Sequence, residues 1–341
     1  MQDLRPRAYT IIELMTSMAI LSVLVVMIFS ALGHGTSVWR QAGAKMSSFQ
    51  NARAAFEMMN RRVSQATLNT YWDYYNAGFQ PFRLSPSNTV FIPRYYGRYS
   101  DLHFVSGPAG SLIPTLPPKC SATATHALFF TAPTGLTTNS NYHAMPELLG
   151  ACGYFIAFGG DDAFRPSIVT GTVSYRWRLM ELAAPVESLS VFASSTGQDW
   201  LATPVKEGRA RPVADNIIAL IVWPRMAPLN DPAGTRIAPN YTYDTRAGGV
   251  WPGNRQPVQS HQLPPSVQVT MVAIDEAAAV RMANGSLPPA VITEALAGRF
   301  TGAVTSFGAD LQLVEEALIK NRITYNVFTT TIALREAQRS Q

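Results

Sequence analysis

Hydrophobic and polar positions divide the chain into stretches with different periods. Residues 9–33 are almost continuously apolar, and Glu13 is the only charged side chain among them. At ~1.5 Å rise per residue, a helix over this run is roughly 36 Å long, enough to cross a bilayer. Over residues 36–68 the run becomes amphipathic. Ala42, Met46, Phe49, Ala52, Phe56, Met59, Val63 and Ala66 recur at spacings of three and four, with Gln41, Lys45, Arg53, Asn60 and Arg61 between them. Together these stretches predict one long helix. Gly33 and Gly35 make a soft point in it, each costing about 1 kcal/mol relative to Ala. The apolar stripe of the second half is a face against which a β-sheet packs.

The period changes after residue 69. Asn69-Thr-Tyr-Trp-Asp-Tyr-Tyr75 suits turns and strands, and its aromatic cluster either lids a core or stacks on a sugar. Short β-like runs follow at 89–92, 102–105, 127–131, 154–158, 173–182, 217–224, 267–275 and 323–334. In 173–182, Val173, Tyr175, Trp177 and Leu179 alternate with Ser174, Arg176, Arg178 and Met180, which predicts a half-buried strand with a wet basic face. Pro- and Gly-rich loops at 107–118, 224–239 and 248–265 separate the runs and favour antiparallel pairing. Amphipathic pieces at 276–284, 289–298 and 309–320 predict short helices. The fold class is therefore α+β: a long N-terminal α-helix followed by an antiparallel β-sheet head.

Composition narrows the classes. About 270 of the 341 residues follow the first ~70, enough for one large domain or two small ones. Only 14% of residues are charged, and 23 Gly with 24 Pro indicate many turns. The net charge is +5 and its basic residues are scattered, so no nucleic-acid footprint is present. Cys120 and Cys152 are the only cysteines. Outside the cytoplasmic membrane a disulfide between them is permitted, and two free buried thiols are equally compatible with the sequence.

The acid in the apolar run is the most informative residue. A lone charge in hydrocarbon costs several kcal/mol and is normally kept where it finds a partner. Ala8-Tyr9-Thr10-Ile11-Ile12-Glu13-Leu14-Met15 resembles the type IV prepilin signature. The resemblance implies a pilin-like fold, with the first half of the helix in the membrane and the second half on the head. It implies cleavage between Ala8 and Tyr9 by prepilin peptidase, N-methylation of Tyr9, and an assembly role for Glu13, which would pair with the new amine of its own or a neighbouring subunit. It divides the chain into a leader at 1–8, a transmembrane assembly helix at 9–33, its amphipathic continuation at 34–70 and an extracytoplasmic head at 71–341. Removing the leader leaves a charge of +4. Ala8 stands where the family usually has Gly, and Ser30 where major pilins have a mid-helix Pro, as in many minor pilins and pseudopilins.

Further resemblances are looser. Residues 65–74 resemble the pilin-like Verru_Chthon cassette protein C family. Residues 215–223, 263–272 and 325–335 are similar to late strands of minor pseudopilins of the J type and their PilW-like relatives. The resemblance implies a minor pilin or pseudopilin of a type II secretion pseudopilus or type IV pilus, at initiation or tip. Its partners would be prepilin peptidase, other pilins and the membrane. The location implied is the inner membrane, single-pass, with the head in the periplasm or on the cell surface.

Competing readings are a secretory signal peptide, whose apolar core should be shorter and free of acids, a plain membrane anchor, and a buried core helix. No nucleophile elbow, P-loop, zinc-protease or dinucleotide motif occurs, so no enzyme and no cofactor are expected. No metal site is expected either. Gly159-Gly-Asp-Asp162 could suit calcium but lacks the EF-hand spacing, so a turn is the default. His34, His103, His126, His143 and His261 stand singly and are expected on surfaces or loops. The alternative function is an anchored extracytoplasmic binding module for a glycan or secreted protein that does not polymerise.

Overall fold

The computed structural model describes residues 11–85, 90–166, 168, 170–193, 197–247 and 251–339, with backbone alone over 31–48 and 338–339. It forms two compact units, Met1–Ser48 and Phe49–Gln341. Helix α1, Ile11–Val63, contains no proline and ends with Arg61 and Arg62 in its last turn, where cations complement the helix dipole. Within the first unit, every described side chain of α1 from Ile11 to Ser30 is exposed.

The second unit begins with the last turns of α1 and contains eleven described strands. β1 (Tyr71–Tyr75) and β2 (Tyr95–Tyr99) form an antiparallel ribbon. The main sheet contains β3 (Phe104–Pro108), β4 (Cys120–Pro133), β5 (Leu149–Gly160), β6 (Tyr175–Ala184), β7 (Ala210–Asp215) and β9 (Tyr243–Asp244), in the order β7-β6-β5-β4-β3-β9. β8 (Ile217–Arg225), β10 (Ser266–Ile274) and β11 (Tyr325–Ala333) make a smaller sheet in the order β11-β10-β8. All described pairings are antiparallel. Short helices fill the connections: α2 (Ala109–Leu112), α3 (Asp199–Lys206), α4 (Glu276–Arg281), α5 (Ala290–Leu296) and α6 (Phe307–Lys320).

Strand alternation builds a core on each face of the main sheet. Leu128 and Phe130 of β4, Tyr154, Ile156 and Phe158 of β5, and Trp177 and Leu179 of β6 face the smaller sheet and the end of α1. Ala52, Ala55, Phe56, Met59 and Val63 of α1 belong to this core, and Phe56 lies 5.8 Å from the Phe328 ring of β11. The intervening residues Ala127, Phe129, Phe155, Ala157, Met180 and Leu182 face a second core with Leu112 of α2 and Trp200, Leu201 and Val205 of α3. β5 is thus covered on both faces, which is why its sequence is a continuous apolar run. The chain leaving α1 is fastened to β4 at Thr67, whose N–H donates to the Thr131 carbonyl at 2.9 Å and whose carbonyl accepts from the Thr131 hydroxyl at 3.0 Å.

The predicted helical stripe holds from Phe49 to Val63, where α1 ends short of the expected residue 68; Ala66 is buried beyond the helix, and the side chains of Ala42 and Met46 lie outside the described residues. Two expectations are corrected. Residues 90–92 are not a strand, and Val90 and Ile92 are exposed; residue 89 lies outside the described residues. β6 has no wet basic face, because its second face meets the α3 layer. Met180 is buried there, and Arg178 is buried beside an ion pair to Asp215 at 2.7 Å, donating also to the carbonyls of Gly159 and Ser174.

Candidate functional site

Glu13 lies in the first described turn of α1, where the helix dipole favours a carboxylate. Around it Ile11, Ile12, Leu14 and Met15 are all exposed, Ile11 by 80%. Leucines, isoleucines and phenylalanines presented to water on every side of a helix cost apolar hydration along its whole length, so the segment belongs in a lipid or protein environment. Three hydroxyls of the segment bond to its own backbone. The Thr16 hydroxyl donates to the Ile12 carbonyl at 2.9 Å, Ser17 to Leu14 at 2.9 Å and Ser22 to Ala19 at 2.8 Å. These local bonds let hydroxyls enter hydrocarbon without water. Length and composition over Ile11–Ser30 suffice to cross a membrane. Ala8 and Tyr9, the expected cleavage and methylation residues, lie outside the described residues.

Residues 4–29 match the family model described as the prokaryotic N-terminal methylation motif. The chain is a type IV prepilin-like protein. Comparisons with curated proteins and with solved structures give no match. The motif accounts for an acid at the start of an otherwise uncharged membrane helix, and it implies processing by prepilin peptidase and assembly with other pilins. The α+β fold, with an apolar N-terminal helix followed by antiparallel sheets, is consistent with a pilin-like fold.

In this prepilin-like chain the other sequence candidates lie apart from that helix. Cys120 and Cys152 are both free, which corrects the disulfide alternative. Cys120 sits opposite Gly159 and Cys152 opposite Phe130 in the β4–β5 register, so the two occupy opposite ends of the strand pair. Along β5 the seven residues from Gly159 to Cys152, at ~3.3 Å each, span roughly 23 Å, far beyond bonding reach. Burial pushes the Cys120 thiol up to about 11 and the Cys152 thiol up to about 12, so neither is a thiolate near neutral pH. Asp161 accepts from Arg165 at 2.6 Å and from the Ser174 N–H at 2.8 Å, while Asp162 pairs with Lys119 at 3.1 Å. These carboxylates are committed to cations and backbone within the loop.

The histidine expectation is corrected in part. His103 and His126 are each 1% exposed. The Trp200 indole, a donor only, bonds His103 Nδ1 at 2.9 Å, so Nε2 carries the proton toward Asp244 at 2.7 Å. Burial holds His103 below its ordinary range, against the raising effect of Asp244. His126 Nδ1 accepts the Val222 N–H at 3.0 Å, its Nε2–H donates to the Phe300 carbonyl at 2.8 Å, and burial lowers it to about 4. His261 is partly buried, accepts the Ser100 N–H at 3.2 Å, and is lowered by burial to about 4. His143 is exposed, and the side chain of His34 lies outside the described residues. No single sequence signal marks the buried pair, since each histidine finds its partners in distant parts of the chain.

The aromatic segment after α1 does two things. Tyr75 and Tyr99 pack beneath the ribbon with Trp251, forming a small buried cluster. Gly97 makes this possible, because a Cβ there would meet the Trp251 ring at 2.3 Å. On the opposite side Trp72, Tyr74 and Tyr96 are 60%, 56% and 58% exposed. Trp72 and Tyr96 stack at 5.2 Å between centroids, and Tyr74 lies 5.3 Å from Tyr96.

Proposed function

We propose that the protein is a minor pilin or pseudopilin of the J-type or PilW-like class. Cleavage after Ala8 frees the amine of Tyr9, which is then methylated. Glu13 pairs with that amine in the membrane, of its own or a neighbouring chain, and both charges are neutralised where neither is stable alone. The helix then enters a type II secretion pseudopilus or type IV pilus at its initiation or tip, from the inner membrane, with the head on the periplasmic side or exposed on the fibre. The methylation motif on a helix with one acid in its first turn carries this reading. The size of the second unit, Phe49–Gln341, and the unbroken helix at Ser30 support a minor subunit over a major one. The role is mechanical rather than catalytic. Its support is that His103, His126, Asp161 and Asp162 are engaged in structural bonds.

The exposed rings of Trp72, Tyr74 and Tyr96 favour a second reading, an anchored module that captures a glycan or secreted protein and does not polymerise. Fibre fractions sheared from native cells separate the two. The subunit reading expects the chain in that fraction, and expects its loss when prepilin peptidase is inactivated. Its retention in the membrane under both conditions would support the anchored module.

A further inference from the structure

Sheet edges expose main-chain N–H and C=O groups that invite another strand, so folded domains shorten, charge or cover them. Most edges of this head are managed in that way. β9 is two residues long. β7 carries Pro212 flanked by Arg211, with Asp215 at its end. Along β8 the Leu220 N–H donates to Thr125 Oγ1 at 2.9 Å and the Val222 N–H to His126 Nδ1 at 3.0 Å. On β2 the Gln256 amide fills both roles, accepting from the Arg98 N–H and donating to the Arg98 carbonyl, each at 2.7 Å. On β1 the Asp73 carboxylate accepts from the Tyr74 N–H at 2.8 Å, and the strand end is closed by the bridge between Tyr75 and Pro81, where the Asn76 N–H donates to the Gln80 carbonyl at 3.0 Å.

Among the described residues, β11 has none of these devices. Its nine residues, Tyr-Asn-Val-Phe-Thr-Thr-Thr-Ile-Ala, include no charge, proline or glycine. It pairs with β10 without a register shift from Tyr325 to Ala333, and among the described residues β10 is its one neighbour in the sheet. Asn326, Thr329, Thr331 and Ala333 are exposed.

We propose that this edge pairs with β11 of a second copy of the chain, antiparallel and centred on Thr329, so that two three-stranded sheets become one of six. The choice of occupant rests on self-complementarity. About a two-fold axis at Thr329, that residue faces its own copy once, while the pairs Phe328–Thr330 and Val327–Thr331 each occur twice. Aromatic, β-branched and Thr–Thr pairs are those that stabilise antiparallel ladders, and no charge meets a like charge. The Thr329 hydroxyl already lies 3.0 Å from that of Thr270, so a hydroxyl row would continue across the axis. This pairing is separate from assembly through the N-terminal helix and does not rest on it.

The test uses the full-length protein extracted in detergent, with its mass measured in solution. The wild type is expected to be a dimer. Thr329→Lys, which sets two cations opposite each other at an exposed position, is expected to halve the mass while circular dichroism still shows a folded head, at a midpoint lowered by loss of the bond to the buried Thr270 hydroxyl. In a Cys120→Ser background, mild oxidation should give a reducible dimer for Thr329→Cys and far less for Thr331→Cys, which faces Val327. A monomeric wild type, or equal cross-linking at both positions, overturns the pairing. A dimer that survives Thr329→Lys does so too, and locates the association elsewhere in the chain.

Discussion

Glu13 is the only charged side chain over residues 9–33, and the proposed pairing with the Tyr9 amine uses that charge. Glu13→Lys reverses that charge beside a cationic amine and should remove the chain from the fibre fraction. The head, which lies in the separate unit Phe49–Gln341, should keep its thermal midpoint. Fibre incorporation and circular dichroism, measured on the same variant, check both halves, and normal incorporation would contradict the pairing. Burial also sets a pH dependence. The folded pKa of His126 is about 4, below an unfolded value near 6.5. Above pH 6.5 both states are neutral at this residue and it imposes no penalty. As pH falls toward 4 the unfolded chain takes up a proton that the folded chain refuses, and stability declines by up to about 3 kcal/mol before levelling off. His261 is lowered in the same direction and adds to the slope. Thermal midpoints from pH 8 to 4 should therefore drop through this window, less steeply in His126→Gln. An unchanged slope in that variant would assign the pH dependence to other groups.

Among the elements, those with a strong period were legible in the sequence. α1, β5, β8 and β10 were visible because each buries a continuous or regularly spaced apolar set. α4, α5 and α6 were visible by their amphipathic spacing. The elements that escaped are those whose local residues argue against them. β2 contains Gly97, required by the close approach of Trp251, and β7 contains Pro212 at a sheet edge. α3 contains Pro204. Arg178 read as solvated because its partners, Asp215 and the Gly159 and Ser174 carbonyls, come together only in the folded sheet. In the candidate site, Glu13 was legible because a charge in an apolar run needs no tertiary context, whereas His103 needed Trp200 and Asp244 from far along the chain. Two substitutions test this level. Met59→Ala, in the buried stripe of α1, should destabilise the head by ~2–5 kcal/mol. Gly97→Ala drives a methyl into Trp251 and should cost about 1–3 kcal/mol, with a change in tryptophan fluorescence. Chemical denaturation of each variant measures these costs, and values within error of the wild type would contradict the packing described.

Across the whole molecule, the chain joins a segment suited to lipid with a head that has its own two-sided core. The first is a generic device, shared through the methylation motif over residues 4–29. The second matches no curated protein and no solved structure. The head offers two surfaces to a partner: the edge of β11 and the exposed rings of Trp72, Tyr74 and Tyr96. Everything proposed for the fibre depends on one covalent event at the other end of the chain. The most direct test is the intact mass and N-terminal sequence of the protein extracted from the membranes of its native host. A chain beginning at Tyr9 and heavier by one methyl group is the predicted result. A chain still beginning at Met1, or one cut near Gly33 or His34 with the helix discarded, would contradict assembly through that helix.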